Sequence, residues 1–277
     1  MFRINRGSDK RRAIRKGWVV FATATIAIVA TATAIVSIRE PSLDRAWDED
    51  VAVLAGVDLL PDGAVRLRDV RDWRYTRDFV VSKRYFDARY DPADIVSLWL
   101  YEQELGLGGL VAHTFLVFEF GAGTFPSAER WLGLSVETRR EAGEKYSMVR
   151  GMLREFEVTH VWATERDLVT RRVEYLDYPL TRYRVDVPDE YLGRIFLQFL
   201  RETAALATVP RWYNTLTTNC TSSLISYVNQ VEPGAIPRHS SSVLTGRADG
   251  HLRRLAYLDP DYELPITRAW LAENEIR

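Results

Sequence analysis

The chain of 277 residues has one cysteine, Cys220, so no disulfide can form within it. Histidine is scarce as well. The four are His113, His160, His239 and His251, and no two stand one helical turn apart. With a single thiol this excludes the usual zinc-ligand patterns, and neither a metal nor any other cofactor is expected. No glycine-rich stretch is followed by the lysine of a phosphate-binding loop. A charge excess is missing too: 37 Lys plus Arg stand against 38 Asp plus Glu. No long-range field therefore favours nucleic acid as a partner. Internal repeats are absent.

Charge is instead asymmetric locally. Arg3, Arg6, Lys10, Arg11, Arg12, Arg15 and Lys16 face one acid, Asp9, and residues 18–38 then carry no charge at all. At about 1.5 Å per helical residue this run is long enough for a hydrocarbon core of roughly 30 Å. The expectation is a cytoplasmic basic segment (1–17), a transmembrane helix (18–38) in the bacterial inner membrane, and a periplasmic domain. A cleaved signal peptide, suggested by Ala32 and Ala34, is the competing reading, although its apolar region normally spans only about 7 to 15 residues. Both readings export the domain. In an oxidising compartment an unpaired thiol is a liability, so Cys220 needs a reason to be there.

Residues 39–57 form a polar connector. A domain over 58–232 follows, then a Pro-, Arg- and Ser-rich extension over 233–277. Val65, Leu67 and Val70 alternate with polar residues as in a strand. Ile95, Leu98, Trp99 and Leu105 fall at helical spacing, predicting a helix over 94–105 stopped by Gly106, Gly108 and Gly109. Residues 113–120 read as a central strand, apolar on both faces. Residues 131–137 and 156–162 read as its antiparallel partners, with further strands at 173–176 and 183–187. Apolar stripes predict helices over 191–206 and 221–231. The class is α+β, an antiparallel sheet packed with helices.

Cys220 falls at the N-terminus of the last helix, where unpaired N–H groups and partial positive charge favour a thiolate. The N–H groups of Cys220 and Thr221 are also candidates to hold an oxyanion. Asn219 or Thr218 is the candidate cap, and burial of Cys220 as a small hydrophobe is the plain alternative. A cysteine nucleophile needs a base. His113, which opens a central strand after a glycine-rich turn, is the first choice. His160 reads as a hydrogen-bonded core or surface histidine, while His239 and His251 read as solvated. Ser135 or Glu137 on the neighbouring strand is the candidate to orient His113.

The stretches HTFLVFEF from His113, LSVETRREAGEKYS from Leu134, ATERDLVTRR from Ala163 and WYNTLTTNCTSSL from Trp212 resemble, in that order, the bacterial Lnb N-terminal periplasmic domain family. The resemblance covers residues 58–232. It implies a circularly permuted papain-like domain of the NlpC/P60 type, in which the histidine strand precedes the cysteine helix. It also implies lipoprotein N-acyltransferase chemistry: an acyl chain leaves a phospholipid, rests on Cys220 as a thioester with His113 as base, and passes to a lipoprotein's N-terminal amine. Two other functions stay open. One is a peptidoglycan amidase or peptidase, which calls for a polar cleft. The other is a non-catalytic periplasmic binding domain, which calls for Cys220 and His113 to be remote from each other.

Overall fold

The computed structural model describes residues 16–27, 30–31, 38–106, 108–122, 125 and 129–274. The chain forms two units, Met1–Glu40 and Pro41–Arg277. In the first, residues 16–27 are helical. The expected membrane anchor at 18–38 includes residues 28–29 and 32–37, and the basic segment includes 1–15, all outside the described residues. Among the described residues no helix is long and apolar enough to cross a membrane.

The second unit is a mixed α+β domain built on one large sheet. Its elements begin with α1 (Glu49–Ala52), β1 (Gly56–Leu59), β2 (Val65–Tyr75), β3 (Val80–Tyr90), β4 (Ile95–Gly106), β5 (Val111–Phe120) and β6 (Trp131–Arg139). Then come α2 (Met148–Met152), β7 (Glu157–Thr164), α3 (Glu165–Thr170), β8 (Leu180–Val185), α4 (Asp189–Leu206) and α5 (Cys220–Val231). The chain closes with α6 (Ala248–Arg254), β9 (Leu258–Ile266) and α7 (Arg268–Glu273). The strands run in the order β1-β2-β7-β6-β5-β4-β8-β9, with β3 paired to β2. Neighbours are antiparallel except β2 and β7, which meet in parallel at Arg71 and Ala163.

Both faces of this sheet are covered, which explains why its central strands are apolar on both sides. On one face Leu100, Leu116, Phe118 and Leu134 pack under α4 and α5. The stripe of α4 supplies Leu192, Ile195, Phe196, Phe199 and Leu200. Phe196 meets Phe118, Phe120 and Trp162 edge to face, the arrangement aromatic quadrupoles favour. On the other face Tyr101, Phe115 and Val117 pack with Leu168 and Val169 of α3 and Leu271 of α7.

The helix expected over 94–105 is a strand instead. A short turn, Pro92–Asp94, leads into β4, whose residues Ser97–Tyr101 are all buried. A strand buried on both faces contains apolar pairs three and four apart, which imitate a helical stripe. Ile95, Trp99 and Tyr101 are the β-favouring side chains that decide the outcome. The strand expected over 173–176 is a wide helical turn, Arg171–Tyr175, continuing α3.

Residues on both sides of 58–232 also belong to the compact unit. The Ser42 N–H donates to Glu157 at 2.7 Å, and Arg139 donates to the Ala52 carbonyl at 2.6 Å. After Pro233 the chain returns to the sheet as β9, antiparallel to β8. On the way Thr245 clamps the start of β5: its hydroxyl accepts from Ala112 N at 2.9 Å and donates to Ala112 O at 2.6 Å. Gly246 passes so close to the preceding turn that a Cβ there would sit 2.1 Å from the Gly109 carbonyl. His251, expected to be solvated, is buried, because its ring stacks on His239 with centroids 4.1 Å apart.

His160 is the buried core histidine its strand position suggests, bonded to Thr203 at 2.9 Å and Tyr227 at 3.3 Å. Burial, aided by the charge of Arg211, lowers its pKa to about 3. Below about pH 6.5 the unfolded chain takes up a proton here that the fold refuses, so stability falls with pH. The melting temperature of the wild type should therefore drop more between pH 7 and pH 5 than that of His160→Gln. Equal drops would contradict this.

Candidate active site

Cys220 is the first residue of α5, and Asn219 before it builds a reciprocal cap. The Asn219 side chain accepts from Ser222 N at 2.8 Å, and Ser222 Oγ accepts from Asn219 N at 2.9 Å. The Asn219 amide also donates to the carbonyls of Thr215 at 3.0 Å and Ser242 at 2.7 Å. Asn219 is thus a cap and a tie between loops, and it does not orient His113. The cap leaves the Cys220 and Thr221 N–H groups at the positively polarised end of the helix, beside the sulfur.

His113, three residues into β5, shares with Cys220 a pocket of about 150 Å³, and the charge of each shifts the pKa of the other. The register pairs Phe115 with Ser135 and so sets Glu137 across from His113. His113 Nε2 is 2.8 Å from Ser135 Oγ and 3.3 Å from Glu137 Oε1. Both of these contacts are made by Nε2. Ser135 Oγ donates to Glu137 at 2.7 Å. Behind them the buried Arg172 donates to Glu137 at 2.9 Å and to Ser135 at 3.0 Å, lying over the Phe115 ring.

Burial by itself raises the Cys220 thiol, but the His113 charge, a hydrogen bond from His113 and the Thr114 N–H outweigh it and lower the pKa to about 7. Burial lowers His113, and the charges of Glu137 and Cys220 outweigh it, raising the imidazole to about 9. Glu137 is held well below the carboxylate range against its burial by His113 and Arg172. Between about pH 7 and pH 9 the pair is therefore thiolate and imidazolium, titrating as a coupled unit. Iodoacetamide alkylation of Cys220 should rise through about pH 7. A midpoint near about 8.5, that of a free thiol, would contradict the pairing.

A second, larger pocket adjoins the first. It measures about 320 Å³ and lies between β4, β5, α4, α5 and the segment around α6. Leu98, Leu100, Leu116, Ile195, Leu224 and Val228 give it an aliphatic lining. Thr114 and Thr221 close its end, hydrogen-bonded to each other at 3.0 Å, and the Thr221 hydroxyl is 3.9 Å from the Cys220 sulfur. The apolar pocket therefore ends one hydrogen-bonded pair of side chains away from the thiol.

Three residues of this neighbourhood escape a reading of the sequence. Arg172 lies within the ATERDLVTRR stretch, and that motif was the signal available for it. Thr114 is one residue from His113 in HTFLVFEF. Glu102 of β4 pairs across the sheet with Thr114 of β5, with one carboxylate oxygen buried and unpartnered among the described residues. Burial, Asp249 and the nearby Cys220 raise its pKa to about 7.

Fold and site together define an α+β domain carrying a charge-paired cysteine and histidine at a helix N-terminus. The chain belongs to the Lnb N-terminal periplasmic domain family, whose profile matches residues 82–247, more than half its length. No curated protein and no solved structure matches it. The match spans β4 to α5 and so includes His113, Ser135, Glu137, Arg172 and Cys220.

Proposed function

We propose that this Lnb-like protein is a thiol acyltransferase held at the inner membrane by residues 18–38. It moves an acyl chain from a phospholipid through a Cys220 thioester to an amine, a lipoprotein N-terminus being the acceptor the family suggests. The order of histidine strand before cysteine helix fits a permuted papain-like arrangement.

In the first half-reaction the thiolate attacks the ester carbonyl, and the Cys220 and Thr221 N–H groups hold the oxyanion. Imidazolium His113 gives its proton to the departing glycerol oxygen, releasing lysophospholipid and leaving the thioester. The acceptor amine then attacks the thioester. The neutral imidazole takes the amine's proton, and collapse yields the amide and returns the thiolate and imidazolium.

The observation that carries this reading is the aliphatic pocket of about 320 Å³ ending at Thr114 and Thr221 beside the sulfur. A peptidoglycan-cutting enzyme calls for a polar cleft instead. The polar side chains Gln103, Tyr146 and Tyr213 around Cys220 favour a second reading, a peptidoglycan amidase or peptidase.

The two separate by product. With phosphatidylethanolamine vesicles and a lipopeptide amine, lysophospholipid and acylated amine should appear in equal amounts. Cleavage of muropeptides without lysophospholipid would overturn the acyltransferase. Leu224→Trp, which fills the aliphatic pocket, should slow a long-chain donor about tenfold or more relative to a butyryl ester. Equal effects on both esters would remove the pocket from the reaction.

A further inference from the structure

The mouth of the Cys220 pocket is ringed by exposed apolar side chains, which water penalises by about 25 cal/mol per Å². Leu105, Tyr146, Met148 and Val243 line the pocket and are exposed, although they come from three separate segments. Next to the lining residues Met148 and Thr215 in the chain are the exposed Val149 (59%) and Leu216 (47%), and Leu153 is exposed at the end of the same short helix as Met148.

These segments are tied together. The Thr215 hydroxyl donates to the Met148 carbonyl at 2.8 Å, and the Asn219 amide joins Thr215 to Ser242. The apolar side chains therefore stand on a braced collar rather than on independent loops.

We propose that this collar is a bilayer-docking surface, seating the mouth of the Cys220 pocket on the lipid from which the donor is drawn. The inference rests on the proposed use of a phospholipid donor. A protein partner stably covering the collar would shut the pocket, since exposed apolar residues of the collar line it. A bilayer covers them and supplies the ester through the same opening. Exposed Lys145 and Arg154 flank α2 and complement anionic headgroups.

The test uses the full chain carrying Cys220→Ser, in nanodiscs of phosphatidylethanolamine and phosphatidylglycerol. A single nitroxide is placed through Val149→Cys, Leu153→Cys, Leu216→Cys or, as an exposed control on β9, Asp261→Cys. The first three labels should collide more with oxygen than with a water-soluble nickel chelate, and the control should do the reverse. All four behaving like the control would overturn docking.

In the Cys220 background, the combination Val149→Asp, Leu153→Asp and Leu216→Asp should slow turnover of nanodisc phospholipid about tenfold or more and leave a soluble butyryl ester unaffected. An unchanged phospholipid rate would also overturn docking. If the labels enter the bilayer but neither substrate is turned over, docking stands and the acyltransferase reading falls.

Discussion

Replacing Cys220 by serine is expected to lower acyl transfer from phospholipid by about 10³-fold or more, with the fold intact. The thiol owes its pKa of about 7 to His113, the Thr114 N–H and the Thr221 hydroxyl, all of which offset its burial. A serine hydroxyl in the same place stays protonated across that range and is a far weaker nucleophile than the thiolate. Serine is nearly isosteric, and the α5 cap is made by Asn219 and Ser222, so the helix should survive. Turnover measured on vesicles together with a melting curve separates the two effects. A serine variant retaining a tenth of wild-type activity would mean that Cys220 is not the nucleophile.

The second large effect belongs to Glu137→Gln. Glu137 is the chief charge raising His113 to about 9, so its neutralisation lowers the imidazole pKa and, through the weakened imidazolium, raises the thiol. The thiolate–imidazolium window, open between about pH 7 and pH 9, closes from both sides. For the wild type, kcat/KM should rise through about pH 7 as the thiol ionises and fall through about pH 9 as the leaving group loses its acid. In Glu137→Gln the acid limb should move up, the alkaline limb down, and the maximum fall by about 10²-fold or more. The variant also leaves the buried Arg172 without its carboxylate, which costs stability. A purely structural role for Glu137 would lower the maximum and leave both limbs in place, whereas Glu137→Asp should restore them in part.

The parts of this site that a reading of the sequence reaches are those set by local pattern. The two-sided apolar run in 113–120 and the alternation in 131–137 give β5 and β6, and antiparallel register then carries Ser135 and Glu137 to His113. The stripe Leu224, Ile225, Val228 and Val231 gives α5, and Asn219 caps it where the polar run allows. What is not legible is set by contacts distant in sequence. Strand β4 is buried on both faces, so its side chains lose the alternation that marks a strand. Arg172 reaches Glu137 only because the chain after β7 turns over the second face of the sheet as α3 and a wide turn. The segment after Pro233 reads as polar tail, because the groups it serves, Ala112 and the edge of β8, lie far upstream. His251 follows from that, since its burial depends on stacking with His239.

The proposed function also accounts for the one thiol kept in a domain of this periplasmic family. Cys220 is buried, its pKa is lowered chiefly by the His113 charge, and it stands between a polar opening and an aliphatic pocket. A cysteine filling a core has no need of a charged histidine backed by Glu137 and a buried arginine. That arrangement is costly to desolvate, and in the proposed acyltransferase its use is to keep a nucleophile ionised.

The most direct test is the intact mass of the protein after brief exposure to phospholipid vesicles without an acceptor amine. The account predicts the mass of one acyl chain added to the wild type, removed by neutral hydroxylamine and absent from His113→Ala. With Cys220 still fully titratable as a free thiol and no such adduct at any pH between 7 and 9, the thioester mechanism would be contradicted.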